Sequence, residues 1–400
     1  MLGWGGREPD GATSYRGLPL ATTGVAVLLA AVGFLFLWSA TWRADREAHA
    51  PDPWMQLAWI GLAALAAAVL ARIDYRRLQS WATLAWVGAI LLLALTAVAG
   101  IQKNGARRWL GIGGFTLQPT ELAKVATVLA LARLLALRPP VRRLGELAFP
   151  LAIAGLPAAF LLQQPDLGSA LLFAPVPFAL LFVAGARRRV LATGAALLLL
   201  APVAAWVMAP ASLQRKMLRP YQLERLTTWW SRDPGRNLSS GYQLWNAEIA
   251  VGSGGLLGKG MMRGPQNVHG FLPAKSTDFV FSVIGEEGGF VGCALFLGGF
   301  AALAGLYLFA GARTREPFGR YLCVGAATLL LSQVFLNTGV ATGLLPTTGV
   351  PLPFVSIGGT GALAQGALLG LVLAVGRRRG YVLGHEHPPQ VIGEMRDEGG

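Results

Sequence analysis

In the stretch FLPAKSTDFVFSVIGEEGGFVG, from Phe271 to Gly292, one aspartate stands at the mouth of a long apolar run and two glutamates lie inside it. A carboxylate at such a mouth has two uses. Asp278, like Ser276 or Thr277 beside it, can cap a helix by accepting hydrogen bonds from orphan backbone amides. It can also act as a base, because an apolar surround raises a carboxyl pKa whereas capping lowers it. Lys275 precedes this group. Glu286 and Glu287, followed by Gly288 and Gly289, are read as facing a cavity rather than lipid.

Other charges recur in apolar settings. RRWLGIGGFTLQPTELAK, from Arg107 to Lys124, sets Arg107, Arg108 and Trp109 ahead of Pro119, a residue suited to the first turn of a helix. Glu121 and Lys124 are three apart and share a helix face, either as a self-neutralised pair or as members of an intramembrane site. QQPDLGSALL puts Asp166 at a short turn entering a span, as a turn or N-cap residue or as part of a site. GSGGLLGKG, from Gly252 to Gly260, fails as a nucleotide loop. Ser253 stands where such a loop needs its first glycine, and Gly260 where it needs Ser or Thr. It reads as a flexible turn or as backbone touching a lipid diphosphate. His49, His269, His385 and His387 lack metal-ligand spacing.

Helices that cross a membrane must position these residues. Of 400 residues, 54% are hydrophobic and 14% charged, against about a quarter charged in soluble domains; the mean hydropathy is +0.51. Apolar runs of about 18 residues or more are long enough to span a bilayer. They predict ten helices, near 18–40, 55–73, 82–100, 119–138, 146–164, 167–186, 190–209, 278–311, 319–340 and 354–376. The expected fold class is an all-α polytopic membrane protein.

Basic residues crowd every second loop, as at Arg72, Arg76 and Arg77, at Arg138, Arg142 and Arg143, and at Arg187 to Arg189. That bias predicts cytoplasmic termini. The chain then divides into a tail (1–17), seven helices (18–209), a large extracytoplasmic loop with amphipathic and glycine-rich segments (210–277), three helices (278–376) and a flexible cytoplasmic tail (377–400). The net charge of +14 is mostly this inner rim facing anionic lipid, so no nucleic-acid partner is implied. Lys103, Arg107 and Arg108 break the pattern on the predicted outer side and form a candidate anion site. From Asn337 to Ala364, Pro346, Pro351 and Pro353 forbid a continuous helix. Broken backbone at membrane depth needs protein or a wet cavity around it. Cys293 and Cys323 lie in apolar spans and read as small buried side chains rather than a disulfide.

The ordered segments RRWLGIGGFTLQPTELAK, QQPDLGSALL, GYQLWNAEIAVGSGGLLGKG, FLPAKSTDFVFSVIGEEGG and GLLPTTGVPLPFVSIGGTGALA together resemble the SEDS family (shape, elongation, division and sporulation). The likeness is nearest its elongation-type members, with the division-type paralogues next, and covers residues 15 to 380. It implies a peptidoglycan glycosyltransferase of the bacterial cytoplasmic (inner) membrane. Such an enzyme polymerises lipid II into β-1,4 glycan strands, releases undecaprenyl diphosphate, and is partnered by a class B penicillin-binding protein, a transpeptidase.

The resemblance further implies Asp278, in the TDF motif, as the catalytic carboxylate, with Trp109, Glu121, Lys124 and Asp166 around a central cavity. An inverting displacement needs one base and positive charge against the departing diphosphate. Lys124, Arg108 and Lys259 are the candidate cations, and Lys275 and Thr277 complete the expected substrate-binding set. A divalent cation, Mg²⁺ or Mn²⁺, is a further expectation, with Asp166 as its ligand or else an orienting residue. His or Arg often precedes the Thr-Asp pair in the family, where this chain has Lys275 and Ser276. Two other functions fit the same charges: a flippase for lipid-linked precursors, and a scaffold in which Asp278 only caps a helix. Transporters often carry paired half-repeats with matching interrupted helices; one irregular stretch and an asymmetric outer loop speak against the first of these.

Overall fold

The computed structural model describes residues 17–43, 48–49, 53–103, 106–112, 115–210, 220–231, 240–272 and 274–378. The predicted terminal tails, apart from Gly17, Arg377 and Arg378, lie outside these residues, as do parts of the 210–277 loop.

Three long helices come first: α1 (Gly17–Thr41), α2 (Pro53–Arg72) and α3 (Tyr75–Ala99), with a two-stranded ribbon of β1 (Trp42–Arg43) and β2 (Ala48–His49) between α1 and α2. Asp74 starts α3 by accepting the Arg76 amide at 3.0 Å, which satisfies one orphan donor. The chain then folds into an antiparallel sheet of β3 (Ile101–Lys103), β4 (Ala106–Ile112) and β5 (Phe115–Leu117). This sheet was not expected; the RRWLGIGG segment reads locally as a loop, and its pairing is visible only in three dimensions.

Pro119 opens α4 (Pro119–Ala136), as its missing N–H allows. A short 3-10 turn leads into α5 (Ala148–Gln163). The expected sixth span is split into α6 (Leu167–Leu171) and α7 (Pro175–Val183), divided ahead of Pro175, whose ring cannot continue the hydrogen-bond ladder. Next come α8 (Arg188–Met208), α9 (Pro220–Ser231), α10 (Ser240–Ser253) and α11 (Pro265–Val268). The chain finishes with α12 (Val280–Arg313), α13 (Pro317–Ala341) and α14 (Gly359–Arg377).

Eight helical stretches among the described residues are long and apolar enough to cross a bilayer. Of the remaining two expected spans, α4 carries Glu121, Lys124 and Arg133, and α6–α7 is interrupted. The chain is a multi-pass membrane protein. α13 and α14 form its centre, packed against α4, α12 and α2. Bare apolar side chains such as Val98, 77% exposed, and Leu199, 69% exposed, belong to faces that meet hydrocarbon. Cys293 and Cys323 are free.

α12 is not one helix. Gly289 adopts φ 64° and ψ −166°, which interrupts the ladder a few turns in. The glycine-rich segment 252–260 fills that break. Lys259 and Gly260 amides donate to the Glu286 and Glu287 carbonyls, both at 3.0 Å, while Phe290 and Val291 amides donate to the Gly255 and Leu256 carbonyls at 2.8 and 3.0 Å. Four backbone groups at the break thus find partners on the loop, as burial favours. The loop is bound to the break rather than loose. Close approach explains its composition: a Cβ at Gly258, where φ is 78°, would fall 2.1 Å from the Glu287 carbonyl oxygen.

Candidate active site

Asp278 sits in the turn that leads into α12, with its side chain half-buried. The amides of Thr277, Asp278 and Phe279 all donate to the Ala274 carbonyl at 3.1–3.2 Å. The N-cap position of α12 is Phe279, with no side-chain cap bond. The capping reading of Ser276, Thr277 and Asp278 therefore fails, and the carboxylate is not consumed by the helix it precedes.

The turn is strapped to the proline-broken segment between α13 and α14. Asn337 Nδ2 donates to the Asp278 and Val350 carbonyls, both at 2.8 Å. The Ile357 amide donates to the Ser276 carbonyl at 2.9 Å, and the Ser356 hydroxyl donates to the Thr277 carbonyl. These bonds fix the backbone and leave the carboxylate beside Gly349, where an added Cβ would come 3.6 Å from Asp278 Oδ2.

Two cations and one acid act on Asp278. Burial pushes its carboxyl pKa up, the Arg225 guanidinium pulls it down, Asp166 pushes it up, and Arg108 and the Thr277 hydroxyl pull it down. Arg225 lies on α9 and is tied to this loop by Nη1 donating to the Thr347 carbonyl at 2.8 Å. Arg108 lies on β4. Its Nε donates to the Gln164 carbonyl at 3.1 Å, its Nη2 donates to the Pro165 carbonyl, and its Nη1 is 3.8 Å from Asp166 Oδ1. Asp166 N-caps α6 by accepting the Ser169 amide at 3.2 Å, so its turn reading holds together with its place near the site. The 165–168 turn packs on Thr348: a Cβ at Gly168 would be 2.4 Å from the Thr348 carbonyl oxygen.

The sequence-predicted residues separate into three groups. Asp278, Thr277, Arg108 and Asp166 converge, and Trp109 is half-buried on the same strand as Arg108. Glu121 and Lys124 pair at 2.7 Å within α4, both side chains almost fully enclosed. Glu121 Oε2 has no protein partner among the described residues and borders a cavity of about 20 Å³ that is apolar over most of its wall but also lined by Gln56, Gln333, Gln365 and Ser356, room for one water. Ser356, whose hydroxyl donates to the Thr277 carbonyl, borders the same cavity.

Lys259 and Lys275 form the third group, around α11. Lys259 Nζ is 3.1 Å from Glu286 Oε1, and Lys275 Nζ donates to Asn267 Oδ1 and to the Asn267 carbonyl at 2.8 and 2.6 Å. The predicted outer cluster divides as well. Arg107 Nη1 donates to the Val98 carbonyl at the end of α3 at 2.9 Å, Arg108 turns to Asp166, and the Lys103 side chain lies outside the described residues. No three His, Cys, Asp or Glu gather among the described residues, and Asp166 is engaged by Ser169 and Arg108. Among the described residues, then, protein side chains alone do not build a metal centre.

Arg225, Asn337 and Gly349 were missed. Arg225 belongs to a basic, Trp-bearing segment that fits an interfacial helix, and only the turn of α9 over the 342–358 loop brings it to Asp278. A basic residue in a long ordered outer loop was the available signal.

The chain matches the FtsW/RodA/SpoVE cell cycle protein family over residues 20–381, and it belongs to that family. It is 35% identical over 363 residues to a probable peptidoglycan glycosyltransferase FtsW of Geobacter metallireducens, covering 88% of this chain and 93% of the relative. It is 32% identical over 375 residues to the peptidoglycan glycosyltransferase MrdB of Escherichia coli K12, covering 93% and 97%. Among solved structures it is similar to a chain from work on coordinated polymerization and crosslinking by a peptidoglycan synthase complex (34% identity, TM-score 0.74, 90% and 98% coverage). It is also similar to the rod shape determining protein RodA of Thermus thermophilus (31% identity, TM-score 0.65, 94% and 100% coverage).

Proposed function

We propose that this chain is a peptidoglycan glycosyltransferase, an inverting enzyme in which Asp278 is the general base. The observation that carries the reading is a half-open carboxylate, fixed through its backbone and lying within the electrostatic reach of Arg225 and Arg108. Asp278 takes the proton of the acceptor sugar 4-hydroxyl. The oxygen attacks the anomeric carbon of the lipid-linked donor, the bond from that carbon to the diphosphate oxygen breaks, and undecaprenyl diphosphate leaves with the electron pair. Diphosphate needs no proton from a second carboxyl, in contrast to the leaving groups of glycosidases. It needs positive charge where its own charge develops, and Arg108 and Arg225 are the side chains suited to supply it. No step is routed through a divalent cation.

The raised Asp278 pKa favours this role, since a base is most effective when its pKa approaches the working pH. Relatives named peptidoglycan glycosyltransferase support the substrate, lipid II, and the bacterial inner membrane as its setting. The likeness to a chain of a peptidoglycan synthase complex supports a class B penicillin-binding protein as partner. An elongation role is supported by GKGMMRGPQN and FLPAKSTDF and by the likeness to a rod shape determining protein. A division role is favoured by the 35% identity to an FtsW. Rescue of cell shape, or of septation, in cells depleted of the resident polymerase separates the two.

The test of mechanism is lipid II polymerisation by the full chain in detergent with its cognate penicillin-binding protein. Asp278→Asn keeps the shape and removes the base, so glycan product should fall by roughly 10²–10⁴-fold while the complex still assembles. Product at the wild-type rate from that variant would rule out proton abstraction by Asp278.

A further inference from the structure

A large cavity bordered by described residues lies away from Asp278. It measures about 540 Å³ and sits between α3, α4 and α5, with Trp86, Arg133, Arg138, Phe149, Ala152 and Ile153 among its walls. That size falls within the roughly 300–1,000 Å³ of small-molecule sites. Its place follows from the topology. Arg133 lies in the last turn of α4 and Arg138 just beyond it, at the end that runs into the basic 138–143 loop, opposite to the β3–β5 sheet. The cavity therefore belongs to the half of the bundle that the charge bias assigns to the cytoplasm.

Its chemistry is two-sided. The inner walls are Trp86, Ala130, Leu134, Ile153 and Leu156, whereas the rim carries two guanidinium groups and no Asp or Glu. The cleft is open on one side, where Leu137 and Phe149 are exposed, so a hydrocarbon chain can enter it and supply dispersion contacts. The cations are held in place. Arg133 Nη1 donates to the Gln79 and Ser80 carbonyls, both at 2.7 Å, and the Arg138 guanidinium lies 4.6 Å from the centre of the Phe149 ring. Trp86 closes the side wall, its Nε1 donating to the Ile153 carbonyl at 3.1 Å.

We propose that this cavity binds an anionic phospholipid of the cytoplasmic leaflet, its acyl chain between α3, α4 and α5 and its phosphate on Arg133 and Arg138. Basic pockets between membrane helices on that side suit acidic headgroups, and the guanidinium fork suits phosphate. Seated there, the lipid braces the inner end of α4, whose outer end holds Glu121 and Lys124.

The test needs no enzymatic readout. Full-length protein in detergent is presented with dioleoyl phosphatidylglycerol or dioleoyl phosphatidylcholine, and bound lipid is counted by native mass spectrometry. Wild type should retain phosphatidylglycerol preferentially. Arg138→Gln should lower that retention about fivefold, the factor for one basic residue near an acidic surface, and leave phosphatidylcholine unchanged. Ala152→Phe fills the cavity from an exposed position and should reduce both lipids. Brominated phosphatidylglycerol should quench wild-type tryptophan emission, with the quenched fraction smaller in Trp86→Phe. Equal retention of the two lipids by wild type, or unchanged retention in both variants, overturns the proposal. Should a variant fail to fold, the wild-type preference and the Trp86 quenching decide alone.

Discussion

The turn at Asp278 and the break at Glu286–Glu287 follow one another along the chain, yet they treat their carboxylates oppositely. Glu286 is fully buried and saturated: Lys259 Nζ at 3.1 Å, the Gln266 amide at 3.0 Å and the Asn267 amide at 3.1 Å all donate to it. Glu287 Oε1 accepts from the Ser39 hydroxyl at 2.6 Å and from Asn267 Nδ2 at 2.8 Å, while its Oε2 is buried without a hydrogen-bond partner among the described residues. Asp278 is held by its backbone, stays half-open, and has its cations on neighbouring elements rather than in an ion pair. A carboxylate saturated as Glu286 is holds structure together. One kept half-open beside two guanidinium groups is a candidate for chemistry.

The contrast is sharpest in paired substitutions. Asp278→Asn should remove polymerisation at little thermal cost. The sign of its stability effect is also fixed. A carboxyl whose folded pKa is raised above its unfolded value loses stability as pH climbs from the unfolded value through the folded one. Ionised Asp278 is therefore a burden at neutral pH, and thermal melting in detergent at pH 7 should place Asp278→Asn at or above wild type. A marked drop would make Asp278 a structural residue like its neighbours.

On the other side of the comparison, Gly258→Ala should be strongly damaging to the break. The new Cβ would press on the Glu287 carbonyl at 2.1 Å, at a backbone φ of 78°. Left-handed strain and overpacking together cost roughly 3–5 kcal/mol, read as a large fall in melting temperature. Glu286→Gln is milder. It keeps one acceptor but sets an amide against donors, stranding at least one of them for about 1–3 kcal/mol. Polymerisation per folded molecule should survive in both. If Glu286→Gln stays fully stable yet loses activity, the division between structural and catalytic acids falls.

How much of this could be read in sequence depends on the range of the interaction. Pro119 opening α4, the Glu121–Lys124 pair and the Asp166 cap are local, and spacing alone suggested each of them. The break at Gly289 was hidden because Glu-Glu-Gly-Gly sits inside a run whose apolar length suits one helix, and its partner is a loop some thirty residues earlier. Lys259 was read as a diphosphate cation for the same reason: a lysine among glycines signals an anion until Glu286 is known to face it. Arg225 was invisible because no sequence pattern links α9 to the loop after α13.

Arg225 gives the finest discrimination, read in the shape of a pH profile rather than in its height. Its charge lowers the Asp278 pKa against the upward push of burial and Asp166. Arg225→Gln should therefore raise that pKa further and move the acid limb of the polymerisation profile to higher pH. More activity is then lost at pH 6 than at pH 8. Lys259→Met, which removes a cation of the other cluster, should leave the limb where it is, because Lys259 is spent on Glu286. Rates measured across that range with saturating lipid II distinguish the two. If both limbs move together, the clusters share one electrostatic field and the separation drawn between them is wrong. If only the Arg225 variant moves, the base being titrated is the one that Arg225 faces.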